Sequence, residues 1–201
     1  MKRWIGRLIA AFGVVLLGAA GASACEEYKS LSTQEMKDFR DKLAEDGADP
    51  LDRLFAFEEL SCSENPTIRA YAIRQGLSSA TDPLVRQQIA FTAIMQKMRI
   101  DIELVAGNSA TEKDKKFIKE HSGLYSLEVR HRSEKDGCLG FWNTDECLAR
   151  YSLVLKGDKA EFRYDKTIGE FILSDDNVLA GFIRVRADED YSRIPAVIKL
   201  F

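Results

Sequence analysis

The sequence predicts an α+β protein in which an N-terminal helical repeat-like bundle is followed by an antiparallel β barrel or sandwich. Apolar residues recur at helical spacing through residues 30–105, and from Gly123 they alternate with polar ones. In addition, residues 1–24 have the pattern of a secretory signal peptide. We therefore expect a signal peptide at 1–24, a helical repeat-like domain at 25–111, a linker or short helix at 112–122 and an antiparallel β domain at 123–201.

The predicted signal peptide has a basic start, a short apolar run and an exit of small residues. Lys2 and Arg3 precede the apolar run at 8–20, and the triplet Ala-Ser-Ala at 22–24 precedes Cys25. The run is short and rich in Gly and Ala, so no transmembrane span is expected in the mature chain. Cleavage after residue 24 would release a periplasmic or secreted chain that begins at Cys25.

The charge of the chain excludes one class of partner. The full chain has a net charge of -3, and the signal peptide removes three basic residues and no acidic one, which leaves -6. The lysines between 113 and 119 alternate with acids, which is typical of a solvated helical face. A chain this acidic gains nothing from the phosphate contacts that drive nucleic-acid binding, so no nucleic-acid partner is expected.

The first predicted helix begins at a capping box. Ser32 is followed three residues later by Glu35, and the two side chains can satisfy each other's exposed backbone N–H groups. Met36, Phe39 and Leu43 then recur at helical spacing, and Gly47 ends the segment.

A five-residue pattern then occurs three times, at 49–53, 65–69 and 82–86. Each unit places Asp or Asn before a proline, which suits an N-cap followed by the first helical position. The pattern predicts stacked short helices of near-constant length. We expect the last of these helices to run from Pro83 to Val105 and to end at Gly107.

The unit at 82–86, Asp-Pro-Leu-Val-Arg, resembles the start of a HEAT-like helical repeat. The other two units depart from that pattern at Asn65 and at Asp52, and the resemblance covers about residues 49–100 only. It implies a helical stack that offers a surface to a partner, without catalysis. An ordinary small helical bundle with the same caps is the alternative.

From Gly123 the apolar period is two, which predicts short antiparallel strands. Leu127 and His131 lie on the same face of the first predicted strand, and a turn at Gly157 separates two further strands. Further strands are expected at 171–173, 179–185 and 194–201.

Four cysteines remain in the mature chain, and an even number in an oxidising compartment predicts two disulfides. Cys138 and Cys147 are nine residues apart with turn-forming residues between them, which favours a local pair and leaves Cys25 for Cys62. The alternative is a lipid anchor at Cys25, as in an envelope lipoprotein. It is disfavoured because Ala22 stands where a lipobox has Leu, and because Cys62 would lose its partner.

No catalytic residue, metal site or cofactor is predicted. His121 and His131 are the only histidines, and no zinc-ligand spacing or Gly-x-Ser-x-Gly elbow occurs. The acidic groups at 175–176 and 188–190 lie in apparent turns.

Phe141 and Trp142 are the candidate binding residues, since the Cys138–Cys147 loop would present them near its tip. A structural role in the core of the sheet is the alternative, although the neighbouring apolar side chains cannot all face one way.

Together these patterns indicate an exported, non-catalytic binding or scaffold protein of the bacterial cell envelope. Its unknown partner, a protein or another envelope component, would meet the helical face or the loop at Phe141 and Trp142. A β barrel that binds a small apolar ligand is the first alternative. An envelope hydrolase, with Glu128, His131 and the turn acids in one cleft, is the second.

Overall fold

The computed structural model of the protein describes residue 25 and residues 27–186 and 191–201. The predicted signal peptide at 1–24 lies outside these residues. Helices come first and a sheet follows, which confirms the predicted α+β class. None of the described helices is long and apolar enough to cross a bilayer.

The helices are α1 (Thr33–Ala44), α2 (Pro50–Ser61), α3 (Pro66–Ser79), α4 (Pro83–Met95) and α5 (Glu112–Glu120). The strands are β1 (Arg99–Leu104), β2 (Leu124–Glu128), β3 (His131–Ser133), β4 (Cys138–Gly140), β5 (Tyr151–Lys156), β6 (Lys159–Tyr164), β7 (Thr167–Leu173), β8 (Val178–Arg184) and β9 (Ile194–Lys199).

The first four helices begin at the predicted caps. At α1 the Ser32 N–H donates to the Glu35 carboxylate at 2.8 Å, and the Glu35 N–H donates to the Ser32 hydroxyl at 3.3 Å. At α2, α3 and α4 a cap side chain accepts a backbone N–H from two residues further on, at 2.8–2.9 Å. A proline is the first residue of each of these three helices. The caps are Asp49, Asn65 and Asp82.

The predicted extent of the last repeat helix is wrong. Helix α4 ends at Met95 instead of Val105, and residues 99–104 form strand β1 inside the range expected to be helical. Within this strand Ile100 and Ile102 are fully buried, while Arg99, Asp101 and Glu103, which alternate with them, are exposed or partly exposed. The strand also pairs with β2 on one side and β9 on the other. β-branched residues in strict alternation, paired on both edges, favour the strand over a continued helix.

The nine strands form one antiparallel sheet in the order β2-β1-β9-β8-β7-β6-β5-β4-β3, and the sheet curls into a half-barrel. Its two outer strands, β2 and β3, are consecutive in the sequence and are separated only by Val129 and Arg130. The Val129 N–H donates to the Met98 carbonyl at 2.9 Å, and the Arg130 N–H donates to the Gly140 carbonyl at 2.8 Å. One bent segment therefore pairs with β1 at its start and with β4 at its end.

Large apolar side chains fill the inner face of the curled sheet. The Tyr125 ring of β2 lies 6.3 Å from the Phe162 ring and 6.4 Å from the Tyr164 ring, both of β6. Since β2 and β6 are far apart in the strand order, these contacts cross the interior. The inward residues that are exposed by 1% or less include Ile102, Leu139, Leu153, Phe162, Phe171 and Ile183.

Helix α4 joins the helical bundle to the sheet. The Arg86 guanidinium donates to the Ser174 carbonyl at 2.6 Å, to Asn177 Oδ1 at 2.8 Å and to Asp175 Oδ1 at 3.0 Å. These three acceptors belong to the turn between β7 and β8. The buried apolar residues of the bundle and of the sheet form one continuous cluster. The arginine of the HEAT-like unit is thus a link between the two halves.

Candidate binding site

An apolar groove of about 610 Å³ lies between α2 and α4, and Gly157 of the β5–β6 turn also lines it. Leu54 and Val85 are among the apolar residues that line it. Leu51 and Leu84 also line it, although they are 60% and 74% exposed. Exposed apolar side chains beside a concave apolar surface are typical of an interaction site.

The two exposed leucines occupy equivalent positions in the repeated pattern. Each follows the proline that starts its helix, and its backbone N–H is bonded to the cap, at 2.9 Å for Leu51 and 2.8 Å for Leu84. The middle unit has Thr67 at this position. This apolar residue after the proline is the sequence signal for the groove. The pattern predicts where the helices begin and not how they pack, so the sequence alone does not predict the groove.

The groove is acidic. Glu58 and Asp82 are its charged lining residues in the described part of the chain. Burial raises the pKa of Glu58 above its ordinary value, and the neighbouring Glu59 carboxylate adds to this, while Lys29 opposes it. Lys29 pairs with Glu59 at 2.8 Å, and across the described ranges no ion pair within 4 Å involves Glu58. Within the described ranges, the Glu58 carboxylate is therefore not directly paired with a cation, since the nearby Lys29 is bonded to Glu59.

A second, smaller groove of about 340 Å³ lies between α1 and α3. Met36, Ile68 and Tyr71 line it, and its charged residues are Lys37 and Arg40. These two apolar grooves of the described helices thus differ in charge, the larger having acidic and the smaller basic lining residues.

The structure separates the two predicted binding residues. Phe141 is 6% exposed, and its ring packs 5.8 Å from Phe162 and 6.3 Å from Tyr164, inside the sheet. Trp142 is 49% exposed and stacks on Tyr151, with ring centroids 4.9 Å apart and planes 25° apart. Trp142 alone is therefore placed to touch a ligand, while Phe141 anchors the loop.

The predicted cysteine pairs are confirmed. Cys25 is bonded to Cys62, and Cys138 is bonded to Cys147. The first disulfide ties the start of the described chain to the end of α2, and the second closes the loop that holds Trp142. Over the ranges that the structure describes, no cluster of three or more His, Cys, Asp or Glu residues could hold a metal ion.

The residues of the hydrolase alternative lie on separate elements. Glu128, at the end of β2, pairs with Arg130 at 2.7 Å, and His131 lies opposite Gly140 in the ladder of β3 and β4. Asp175, in the β7–β8 turn, pairs with Arg86. The acids at 188–190 lie outside the described residues.

Comparisons of this chain with protein-family models, with curated proteins and with solved structures find no match. The likeness of residues 82–86 to a HEAT-like repeat is a likeness of sequence pattern. A binding site in this chain is therefore inferred from the geometry and charge of its own residues.

Proposed function

We propose that this protein is an exported, non-catalytic binding protein of the bacterial cell envelope, and that the α2–α4 groove binds an apolar segment of a protein partner. The observation that supports this most is the exposure of Leu51 and Leu84 beside an apolar groove of about 610 Å³. Phe55, one helical turn after Leu51, is also 58% exposed. Covering these side chains with a partner removes apolar surface from water, which favours association.

The charge of the groove indicates the chemistry of the partner. Glu58 and Asp82 line the groove, and residues 25–111 hold 15 acidic and 10 basic residues. A complementary segment is basic and amphipathic, with apolar residues facing the groove and a Lys or Arg beside Glu58. An amphipathic helix laid into a groove between helices is a common way for such segments to bind.

The disulfides support export. Structural disulfides persist in oxidising compartments and are rare in the cytosol, and both cysteine pairs are formed here. They also favour the form without a lipid. The Cys25 sulfur that bonds to Cys62 is the atom that a lipid thioether would occupy, and one sulfur cannot form both bonds.

The alternatives have less support. A barrel for a small apolar ligand needs an empty interior, whereas Phe162, Phe171 and Leu153 fill the inner face of this sheet. A hydrolase needs its acids and its histidine to converge, whereas Glu128 is paired with the adjacent Arg130 and Asp175 is paired with Arg86 of α4.

The direct test is titration of the exported protein with an amphipathic Leu/Lys peptide of about five helical turns. A peptide of the same composition in scrambled order controls for charge alone. Saturable binding of the ordered peptide only is expected. Leu84→Asp is expected to weaken it by about tenfold or more, which corresponds to about 1.4 kcal/mol.

Two further variants separate binding from folding. Because burial disfavours the charged form of Glu58, Glu58→Gln is expected to be at least as stable as the parent at neutral pH, yet to bind the ordered peptide more weakly. Ile172→Asp is the matched control, since Ile172 is 52% exposed on β7 and is not one of the residues that line the groove. Equal weakening by Leu84→Asp and Ile172→Asp, or equal affinity for both peptides, contradicts the proposal.

A further inference from the structure

We propose that the exposed face of Trp142 is a stacking platform for a sugar ring of a β-linked, gluco-configured oligosaccharide. This site is separate from the α2–α4 groove and does not depend on it. The Trp142 side chain lies in the disulfide-closed loop beyond β4, whereas the groove lies between two helices of the bundle.

The platform has one covered face and one open face. Tyr151 stacks on the indole ring at 4.9 Å, so the exposed half of Trp142 consists of the opposite face and the ring edge. Tyr151 in turn packs against Tyr164 at 5.4 Å, and Tyr164 packs against Phe141 at 6.3 Å. Trp142 is therefore the outermost ring of a stack that begins in the buried interior of the sheet.

The loop holds the platform rigidly. The Cys138–Cys147 disulfide closes it, and the Phe141 N–H donates to the Tyr151 carbonyl at 2.9 Å. Inside the loop the Thr144 N–H donates to the Trp142 carbonyl at 2.9 Å. A side chain held in place before binding loses little entropy when a ligand arrives. This matters for a sugar, because the small binding free energy of a single stacked ring does not offset the entropy cost of ordering a loop.

Polar groups surround the ring. Asn143, Asp145 and Glu146 are exposed beside Trp142. Arg150 donates to Asp165 through its guanidinium, and its carbon Cζ lies 5.8 Å from the centre of the Tyr151 ring. A flat apolar surface bordered by hydrogen-bond donors and acceptors is complementary to a sugar ring, which has C–H groups on its faces and hydroxyl groups around its edge.

The same surroundings disfavour other ligands. A protein hot spot is buried among further apolar contacts, whereas the exposed neighbours in this loop are polar. A lipid surface with anionic headgroups would repel Asp145 and Glu146. The gluco configuration is favoured because its ring hydroxyls are all equatorial, so both faces of the sugar present only C–H groups to the indole.

Tryptophan fluorescence reports this site directly. The chain has two tryptophans, Trp4 and Trp142, and cleavage after residue 24 leaves only Trp142. The exported protein should be titrated with the β-1,4-linked tetramers of N-acetylglucosamine and of glucose, with an α-1,4-linked glucose tetramer as the control. We expect a saturable change in fluorescence with at least one β-linked tetramer, with Kd in the millimolar range or tighter. A response to both tetramers means that binding does not need the acetamido group. No saturable change with either β-linked tetramer at about 10 mM, or an equal response to the α-linked one, overturns the proposal.

Variants complete the test by ligand-observed NMR, which needs no tryptophan. Trp142→Ala should lose the saturation transfer to the β-linked tetramer, and Trp142→Phe should retain part of it, since a smaller ring still stacks. The groove variant Leu84→Asp should bind the tetramer like the parent, and Trp142→Ala should bind the Leu/Lys peptide like the parent. Unchanged saturation transfer in Trp142→Ala overturns the sugar site. An equal loss of saturation transfer in Trp142→Phe and Leu84→Asp also overturns it. Neither result contradicts the proposed role of the α2–α4 groove.

Discussion

At the scale of single residues, the most unusual side chain is Arg53, a cation that is only 7% exposed in the middle of the helical bundle. It donates to the Glu45 carbonyl at 2.6 Å and to the Ser79 carbonyl. Glu45 is the C-cap of α1, and Ser79 is the last residue of α3. The guanidinium thus neutralises the partial negative charge at two helix ends and satisfies carbonyl groups that the helices leave free.

Replacing Arg53 should therefore destabilise the bundle strongly. We expect Arg53→Ala to lower the free energy of unfolding by about 2–4 kcal/mol, because two buried carbonyl groups lose their donor and a buried space opens. Arg40→Ala is the control, since the Arg40 side chain is 50% exposed and should change stability by about 0.5 kcal/mol or less. Urea unfolding followed by circular dichroism measures both, and equal small effects would contradict this role of Arg53.

Asp114 is a second buried charge, fully inaccessible at the start of α5. Its carboxylate accepts from the Thr111 hydroxyl and from the Ser192 hydroxyl, each at 2.6 Å. It also accepts from the Thr111 N–H at 2.7 Å and from the Ser192 N–H at 3.2 Å. Burial acts to raise the pKa of Asp114, but these hydrogen bonds outweigh it and lower the pKa below its ordinary value of 3.8.

A lowered pKa in the folded state makes the stability depend on pH in one direction. The charged Asp114 stabilises the fold above its ordinary pKa of 3.8, and this contribution is lost as the pH falls through the lower folded value. We expect Asp114→Asn to destabilise most at neutral pH and the gap to the parent to narrow below about pH 4. Unfolding free energies measured between neutral and acid pH check this. A gap that stays constant or widens with acid would rule it out.

At the scale of elements, the caps explain what could be predicted. Asp49, Asn65 and Asp82 each stand before a proline, and local chemistry of this kind is readable without knowledge of the fold. The end of α4 is not predicted from the sequence because apolar residues continue at helical spacing beyond it, at Met95, Met98 and Ile102. Ile100 and Ile102 also alternate with charged residues, which suits a strand, and pairing with β2 and β9, a property of the fold, decides between the two.

The same distinction applies to the candidate sites. The loop with Trp142 was predictable, because Cys138 and Cys147 bracket two aromatic residues over a short distance. Which of those two residues faces solvent depends on the packing of Phe141 against β6, and that packing is not visible in the sequence. The α2–α4 groove requires two helices to lie side by side, so its walls could not be predicted although its residues were recognised as helical.

The disulfide loop gives a prediction for this scale. Replacing Cys138 and Cys147 together with Ala should lower the free energy of unfolding by about 2–3 kcal/mol, the value for closing a loop of this length in the unfolded chain. Replacing Cys25 and Cys62 together should cost about 3–4 kcal/mol, since that loop spans 37 residues. Urea unfolding of the two double variants under oxidising conditions checks both values. A parent-like stability for either variant would show that its disulfide adds no constraint.

At the scale of the whole molecule, the bundle and the sheet share one apolar cluster and are linked by Arg86. Apolar side chains fill the interior of the half-barrel. The exposed apolar residues that we interpret as functional lie outside this interior, on the helices at Leu51 and Leu84 and in the disulfide-closed loop at Trp142. This arrangement supports the proposed binding function, because a packed scaffold holds these side chains at the surface.

The proposed export predicts the mass of the mature chain. The mass of the exported protein should correspond to a chain that begins at Cys25, carries no lipid and lacks the two hydrogens that each of the two disulfides removes. Mass spectrometry of the intact protein before and after reduction measures all three properties. A diacylated N-terminus, or a form that retains residues 1–24, would contradict the proposed form of the mature protein.

The most direct test of the central claim is photo-crosslinking in the native envelope. A photoreactive amino acid at position 84, in the α2–α4 groove, should form an adduct with one defined protein partner. The same amino acid at position 172, where Ile172 is 52% exposed on β7, should form none. Glu58→Gln combined with position 84 should reduce the adduct while the protein level stays unchanged. Adducts of equal yield from positions 84 and 172, or none from position 84, would contradict a binding function of the groove.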